Sequence, residues 1–205
     1  MSAPLVVLTA DVDIEAAVRT LIEKRTRALQ VSQIEATFIR HPNKDPGCYH
    51  DAIPFLRGYA RAGGNALVVF DEAWEGAPSP APDMELSVEK LLAADWRERA
   101  RCVIIAPEIE SWVFSDSPQV AAVLGWADRN PGLREWLRAN SLWDTTPKPP
   151  DPKTAFERAL KEVKRRPTAQ FFLQLAEKVS VERCTDRALV RLRDTLRAWY
   201  PPAPR

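Results

Sequence analysis

Three unbroken apolar runs constrain the fold of this chain more than any other feature. "PLVVLTA" (4–10), "NALVVFD" (65–71) and "RCVIIA" (101–106) lack the alternation of a strand that keeps one face in water. Strands built from them must be covered on both sides. Parallel strands joined by crossover helices meet that requirement. A fourth run, "IEATFIR" (34–40), alternates Ile34, Ala36 and Phe38 with polar neighbours and reads as a strand at lower burial. Between the runs, residues 13–29, 50–61 and 84–100 carry apolar side chains at helical spacing, and Gly63–Gly64 introduces the third strand. The predicted order is β-α-β-α-β-α-β, an α/β fold with a mostly parallel four-stranded sheet and helices on both faces.

Beyond Pro107 no further strand is predicted. Four helical segments, "PGLREWLRAN", "PKTAFERALKEVKRR", "TAQFFLQLAEKV" and "CTDRALVRLRDTLRAWY", follow, split by the proline-rich "TTPKPPDP" (145–152). A boundary near residue 126 divides an α/β region (1–126) from a helical region (127–205), and the charge changes sign there. The first region has 18 acidic and 12 basic side chains, the second 10 acidic and 17 basic. This asymmetry fits a cation-binding front and a polyanion-binding back, or two solvated surfaces of opposite sign. With 45% hydrophobic and 28% charged residues, the chain has material for an ordinary core. No apolar run nears the roughly 18 residues needed to cross a bilayer. "MSAPLVVLTADVD" also lacks a secretory signal's basic start, so the sequence reads as cytoplasmic with no membrane partner. Three scattered cysteines without a CxxC pair exclude a disulfide framework, and Cys102 reads as a buried small hydrophobe.

Parallel strands place all their C-terminal ends on one edge, where ligands of open α/β folds bind. Each run here is followed by acids: Asp11 and Asp13 after the first, Asp45 after the second, Asp71, Glu72 and Glu75 after the third, Glu108 and Glu110 after the fourth. Gathered carboxylates repel one another unless a cation lies between them. Mg²⁺, held by one or two carboxylates with waters and substrate phosphates, suits such a rim. Plainer readings exist for each acid. Asp11 or Asp13 is a good helix N-cap, and Glu108 and Glu110 lie in a first turn opened by Pro107, where the helix dipole favours acids. Both histidines fall in "HPNKDPGCYH" (41–50). His41, Cys48 and His50 match no strong zinc spacing, so with Asp45 they read as a rim loop turned by Pro46–Gly47. Trp112 is expected to pack under the sheet edge, and Trp74, in a Gly/Pro loop, to be exposed.

An apolar strand closing on Asp71 and a later one followed by "PEIESWVFSD" resemble the TOPRIM-like families of bacterial defence islands, which share a P-E-I-E-x-W-h-x-A/S-D motif. The runs "HPNKDPGC", "ALVVFDEAWEG", "APEIESW", "DPKTAFERAL" and "LAEKVSVERCTDRALVRLRDTLRAWY" further resemble a bacterial family of the methylation-associated phage-defence system, its fourth component. The likeness spans nearly the whole chain. It implies a TOPRIM/Rossmann-like sheet that, in active relatives, binds Mg²⁺ and cuts or rejoins nucleic acid. It also implies a glutamate after the first strand as general acid/base and a D-x-D pair after a later strand as metal ligands. In this sequence Ala10 stands at the glutamate and Ala73 at the second aspartate, with Asp11 and Asp13, and Glu72 and Glu75, as nearby substitutes.

In the basic half, Lys153, Lys161, Lys164 and Arg165 are candidate phosphate contacts, the last three at i, i+3, i+4 on one predicted helix face. Two functions follow. In one, the chain is an accessory protein of an anti-phage system with an Mg²⁺-dependent nuclease domain; Asp71, Glu72, Glu108 and Glu110 hold metal and Asp11 or Asp13 orients water. In the other it is a non-catalytic assembly or sensor subunit binding other defence proteins, DNA or RNA. A nucleotide-binding protein is disfavoured because neither G-x-G-x-x-G nor a Walker A loop is present.

Overall fold

The four runs form β1 (Leu5–Thr9), β2 (Ala36–Arg40), β3 (Asn65–Asp71) and β4 (Ala100–Ile105) of one all-parallel sheet ordered β2-β1-β3-β4. The computed structural model describes residues 3–78, 80–182 and 184–202. Leu5 lies opposite Ala36 on one side and Asn65 on the other, and Asp71 opposite Ile105. The two central strands, β1 and β3, are buried throughout, as unbroken apolar runs require. The alternating β2 is an edge strand of mixed exposure. The order reverses between β1 and β3, so the β1 and β3 exits border the crevice where such folds bind ligands, with the β4 exit next to that of β3.

β4 is also an edge strand, yet it is almost wholly buried. Its outward N–H and C=O groups have no fifth strand to meet. Side chains take that place, from α5 (Ala81–Trp96) and α10 (Arg187–Trp199). The N–H groups of Cys102 and Ile104 donate to Glu89 and Glu85, each at 2.9 Å. Their carbonyls accept from Arg191 at 2.8 Å and Arg187 at 2.7 Å. The same acids pair with the same arginines: Glu85 Oε2 is 2.8 Å from Arg187 and 3.3 Å from Arg191, and Glu89 Oε1 is 2.6 Å from Arg191. Glu85 is only 2% exposed. Every charge in this ladder also holds a backbone group, the condition under which a buried ion pair is tolerable.

The remaining elements pack around this frame. α1 (Val12–Lys24) and the short α2 (Thr26–Leu29) follow β1, and α4 (Ala52–Ala60) precedes β3. Residues 41–50 depart from expectation. They hold a short helix, α3 (Lys44–His50), with Pro46 and Gly47 inside it rather than forming a turn. Proline is tolerated early in a helix because the first N–H groups have no intrahelical acceptor. Gly47 is required by the His41 ring, since a Cβ there would lie 2.0 Å from Nδ1.

After β4 come a 3₁₀ turn (Ile109–Trp112), α6 (Pro118–Leu124), α7 (Leu133–Ala139), α8 (Pro152–Glu162) and α9 (Ala169–Lys178); no strand follows β4 among the described residues. α9 lies along α1, where Arg25 donates to the carbonyls of Ala176 and Val179. With α10 on β4, one continuous core runs from the sheet into the helical region. The predicted basic face does not form. α8 stops at Glu162, and Lys164 adopts φ 57° so that its N–H reaches Lys161 O and that of Arg165 reaches Leu160 O, a capping pattern that ends a helix. Lys161, Lys164 and Arg165 therefore diverge. Arg165 is engaged with the Val123 carbonyl at 2.8 Å and the Phe171 ring.

Removing Glu85 strands Arg187 and the Ile104 N–H and leaves Arg191 with Glu89 as its remaining acid. Glu85→Ala is expected to lower the unfolding free energy by about 3 kcal/mol. Breaking the exposed Arg57–Asp95 pair with Arg57→Ala should cost about 0.5 kcal/mol or less. Urea denaturation of the two variants beside the parent checks the contrast, and equal losses would refute the ladder's importance.

Candidate functional site

All four strand exits open on one rim. At the first, Asp11 is the N-cap of α1, its Oδ1 accepting the N–H groups of Asp13 and Ile14, each at 2.9 Å. It is thus both a cap and a rim acid. Asp13, in the first turn of α1, has its carboxyl pushed above the usual range by burial and by Asp11, with Lys153 opposing. At the second exit His41 is buried, with Nδ1 accepting the Asn43 N–H at 3.1 Å, its ring 4.2 Å from Phe55 and Nε2 without a partner. Asp45 reaches across from α3, its Oδ1 accepting the Asp71 N–H at 2.9 Å. Burial, foremost, raises its carboxyl.

The third exit holds the most unusual group. Asp71 ends a fully buried strand, and its Oδ1 is buried with no hydrogen-bond partner. Burial pushes this carboxyl well up; Asp45, Asp11 and Glu110 add to the shift, and the Ile109 N–H opposes it. Glu72 turns elsewhere, accepting the Ala81 N–H at 2.7 Å at the start of α5. Trp74 is half-buried rather than exposed, 6.0 Å from both Tyr49 and His50, and its Nε1 is buried and unpaired.

At the fourth exit a cis Ala106–Pro107 bond and an extended Glu108 lead into the 3₁₀ turn. Glu108 and Glu110 precede and open this 3₁₀ turn rather than lying in the first turn of an α-helix, and the Trp112 Nε1 donates to Asp186 at 3.0 Å. Glu110 is buried, and desolvation, with Glu108 and Asp13 nearby, pushes its carboxyl up to about 7. Glu108 is raised by burial, with Lys153 opposing.

Lys153, assigned from sequence to a basic face, stands among these acids. Its N–H donates to Glu108 Oε1 at 3.2 Å, and its Nζ is 3.7 Å from Oε2. Burial pulls its ammonium down, but Glu108, Glu110, Glu157 and Asp71 outweigh that and hold it up. One sequence signal could have found it. Lys153 lies in the first turn of α8, where the helix dipole disfavours a cation, so its position calls for acids nearby.

Asp11, Asp13, Asp45, Asp71, Glu108, Glu110 and Lys153 thus lie within electrostatic reach of one another. Outside this group are Glu72, the buried Cys48, whose thiol is raised chiefly by burial, and the exposed His50. Among the described residues no three His, Cys, Asp or Glu side chains stand close enough to hold an ion by themselves. That excludes a three-ligand zinc grip by His41, Cys48 and His50. Mg²⁺ asks for less: one or two carboxylates, with waters and phosphates completing its shell. The all-oxygen donor set and the unpartnered Asp71 Oδ1 fit such a cation.

Because Glu110 is protonated more readily in the folded chain, its contribution favours folding below about pH 4.5, the unfolded value, and is lost as pH rises through about 7. In chelator, Glu110→Gln should stabilise the protein at pH 8 by up to about 3 kcal/mol and leave it nearly unchanged at pH 4. Thermal melts across that range check this, and an equal effect at both ends would contradict it.

No family model matches this chain, and no curated protein matches it. Among solved structures, it is similar to the C-terminal region of the Burkholderia pseudomallei OLD protein. The match has 14% identity and a TM-score of 0.54, and covers 97% of this chain and 98% of that one. At that identity the likeness speaks for the fold: a TOPRIM/Rossmann-like α/β domain extending through the C-terminal helices.

Proposed function

We propose that the rim binds a divalent cation, Mg²⁺ or Mn²⁺, and that the chain acts on the phosphodiester backbone of nucleic acid as a nuclease. The observation that carries this reading is Asp71, a buried carboxylate oxygen with no partner, surrounded by Asp11, Asp45 and Glu110. Leaving such an atom unpaired costs roughly 1–3 kcal/mol, and a cation would relieve it.

Asp71 would hold the metal, with Asp45, Glu108 or Glu110 as the second carboxylate. The bound ion supplies charge stabilisation at the phosphate and a more acidic water. The chain's own residues do the rest. Asp11 and Asp45 are fixed by backbone N–H groups, which keeps the rim pre-formed. Asp13, raised by burial, can hold a proton near the reacting water. Lys153 balances the acids and can meet a phosphate oxygen. The sequence resemblance supports TOPRIM-type chemistry, a place in an anti-phage system and other defence proteins as partners. No helix among the described residues is long and apolar enough to cross a membrane.

A second reading rests on Ala10 and Ala73, methyl groups where TOPRIM enzymes carry a glutamate and an aspartate. In that reading the scaffold binds nucleic acid or a partner protein without cutting.

The nuclease reading expects purified protein to degrade plasmid DNA or RNA with Mn²⁺ or Mg²⁺ and not in chelator. Asp71→Asn, a near-isostere, should keep the fold and cut the rate by about 100-fold or more, a loss of about 2.7 kcal/mol in transition-state stabilisation. Metal-independent retention of labelled nucleic acid without cleavage would favour the second reading, and cleavage untouched by Asp71→Asn would overturn the role given to Asp71.

A further inference from the structure

The acidic rim carries a cation of its own. Among the described residues no lysine or arginine other than Lys153 forms an ion pair with Asp11, Asp13, Asp45, Asp71, Glu108 or Glu110. Lys153 takes up both oxygens of one carboxylate: its N–H lies 3.2 Å from Glu108 Oε1 and its Nζ 3.7 Å from Oε2. The helix does not ask for a cation here. The first turn of a helix disfavours positive charge, and α8 already has its cap in Asp151, which accepts the Thr154 N–H at 2.8 Å. Burial pulls the Lys153 ammonium down, and Glu108, Glu110, Glu157 and Asp71 more than make up for it. The acids across the rim, not α8, account for its presence.

The two partners differ in freedom. The Glu108 side chain is 13% exposed and tied to the backbone of α8, whereas that of Lys153 is 56% exposed. An ammonium on a flexible four-carbon stem can leave the carboxylate while the backbone stays in place, and so exposed a pair holds it weakly. Lys153 therefore supplies positive charge to the rim without bracing it. A divalent ion competes with the ammonium for the same acids and is repelled by it. A phosphate beside Lys153 would cancel that repulsion and release Glu108. Whatever draws the ammonium off favours the ion, and by linkage the ion favours whatever draws it off.

We infer that Lys153 couples the rim's two ligands: it occupies Glu108 in the free chain and passes to a backbone phosphate of the nucleic acid, so that the rim takes up its divalent ion tightly only with nucleic acid in place. The inference rests on the divalent-cation reading of the rim and adds to it an order of events. Metal without substrate is held weakly, which keeps the free chain from carrying a loaded centre.

The test reads metal binding rather than cleavage: free Mn²⁺ is followed by electron paramagnetic resonance as the full chain is titrated at low salt. Without nucleic acid, Lys153→Met should bind Mn²⁺ about five- to tenfold more tightly than the parent, the scale of one ammonium's repulsion of a nearby divalent ion. Lys153→Arg, which restores the charge, should return to the parent value. Lys90→Met, at an exposed position in α5, removes the same charge elsewhere on the surface and should change nothing. A phosphorothioate oligothymidylate, chosen because it resists hydrolysis, should tighten Mn²⁺ binding severalfold in the parent and much less in Lys153→Met, after subtraction of the ion held by the oligonucleotide alone. The inference is overturned if Lys153→Met leaves Mn²⁺ affinity unchanged or weakens it, or if Lys90→Met has the same effect. It is equally overturned if the oligonucleotide helps the parent and Lys153→Met alike, or if no chain binds Mn²⁺. Only the last of these outcomes also removes the metal from the rim; the others leave the nuclease reading standing. Absence of cleavage with the Lys153 effect intact would remove the nuclease reading alone.

Discussion

The edge of β4 is the constraint on which the rest of the structure depends. A strand at a sheet edge presents unpaired N–H and C=O groups, which water normally satisfies. Here α5 and α10 cover the edge and exclude water, so Glu85, Glu89, Arg187 and Arg191 must meet the backbone themselves. Two consequences follow. The C-terminal helix becomes part of the sheet's hydrogen-bonding system, so the helical region cannot separate without opening the core. The end of β4 is also held in place from outside, and Glu108 and Glu110 leave from that point.

The rim is built on a related principle. Burial raises Asp13, Asp45, Asp71, Glu108 and Glu110 alike, so in the bare chain each resists ionisation. The fold relieves some of this strain locally. Asp11 caps its own helix, Asp45 takes the Asp71 N–H, and Glu108 takes the N–H and ammonium of Lys153. Asp71 Oδ1 receives no such relief. What distinguishes the rim from a chance gathering of acids is that a fully buried carboxyl oxygen, Asp71 Oδ1, is left unpaired.

Much of this was legible in the sequence. The strands could be read because burial on both faces leaves an unbroken apolar run, and parallel strands fix which ends converge. Asp71 and Glu110 could therefore be assigned to one edge before any coordinates. The β4 ladder could not. Glu85 with Glu89, and Arg187 with Arg191, are spaced i, i+4 and look like ordinary solvated helix charges; only tertiary packing shows that they face a strand. "KDPGCYH" resembled a turn because Pro–Gly usually makes one, whereas here the glycine serves the His41 ring. The basic face of Lys161, Lys164 and Arg165 failed because periodicity was extended past the helix end. Pro167, a few residues on, was a stop signal.

The two alanines bear on how this rim could work. On the proposed reading, Ala10 and Ala73 leave methyl groups where the TOPRIM families this sequence resembles carry carboxylates, and Lys153 neutralises more, so the rim would attract a cation less strongly than a full acidic set would. Burial of the remaining acids weakens that attraction further near neutral pH, because a raised carboxyl must lose its proton before it can bind. A cation bound at Asp71 would favour its ionised form and, through proximity, draw Asp45 and Glu110 with it, so metal uptake would release protons. On the proposed reading occupancy and ionisation are coupled: protons compete with the metal for these carboxyls, so uptake would strengthen as pH rises.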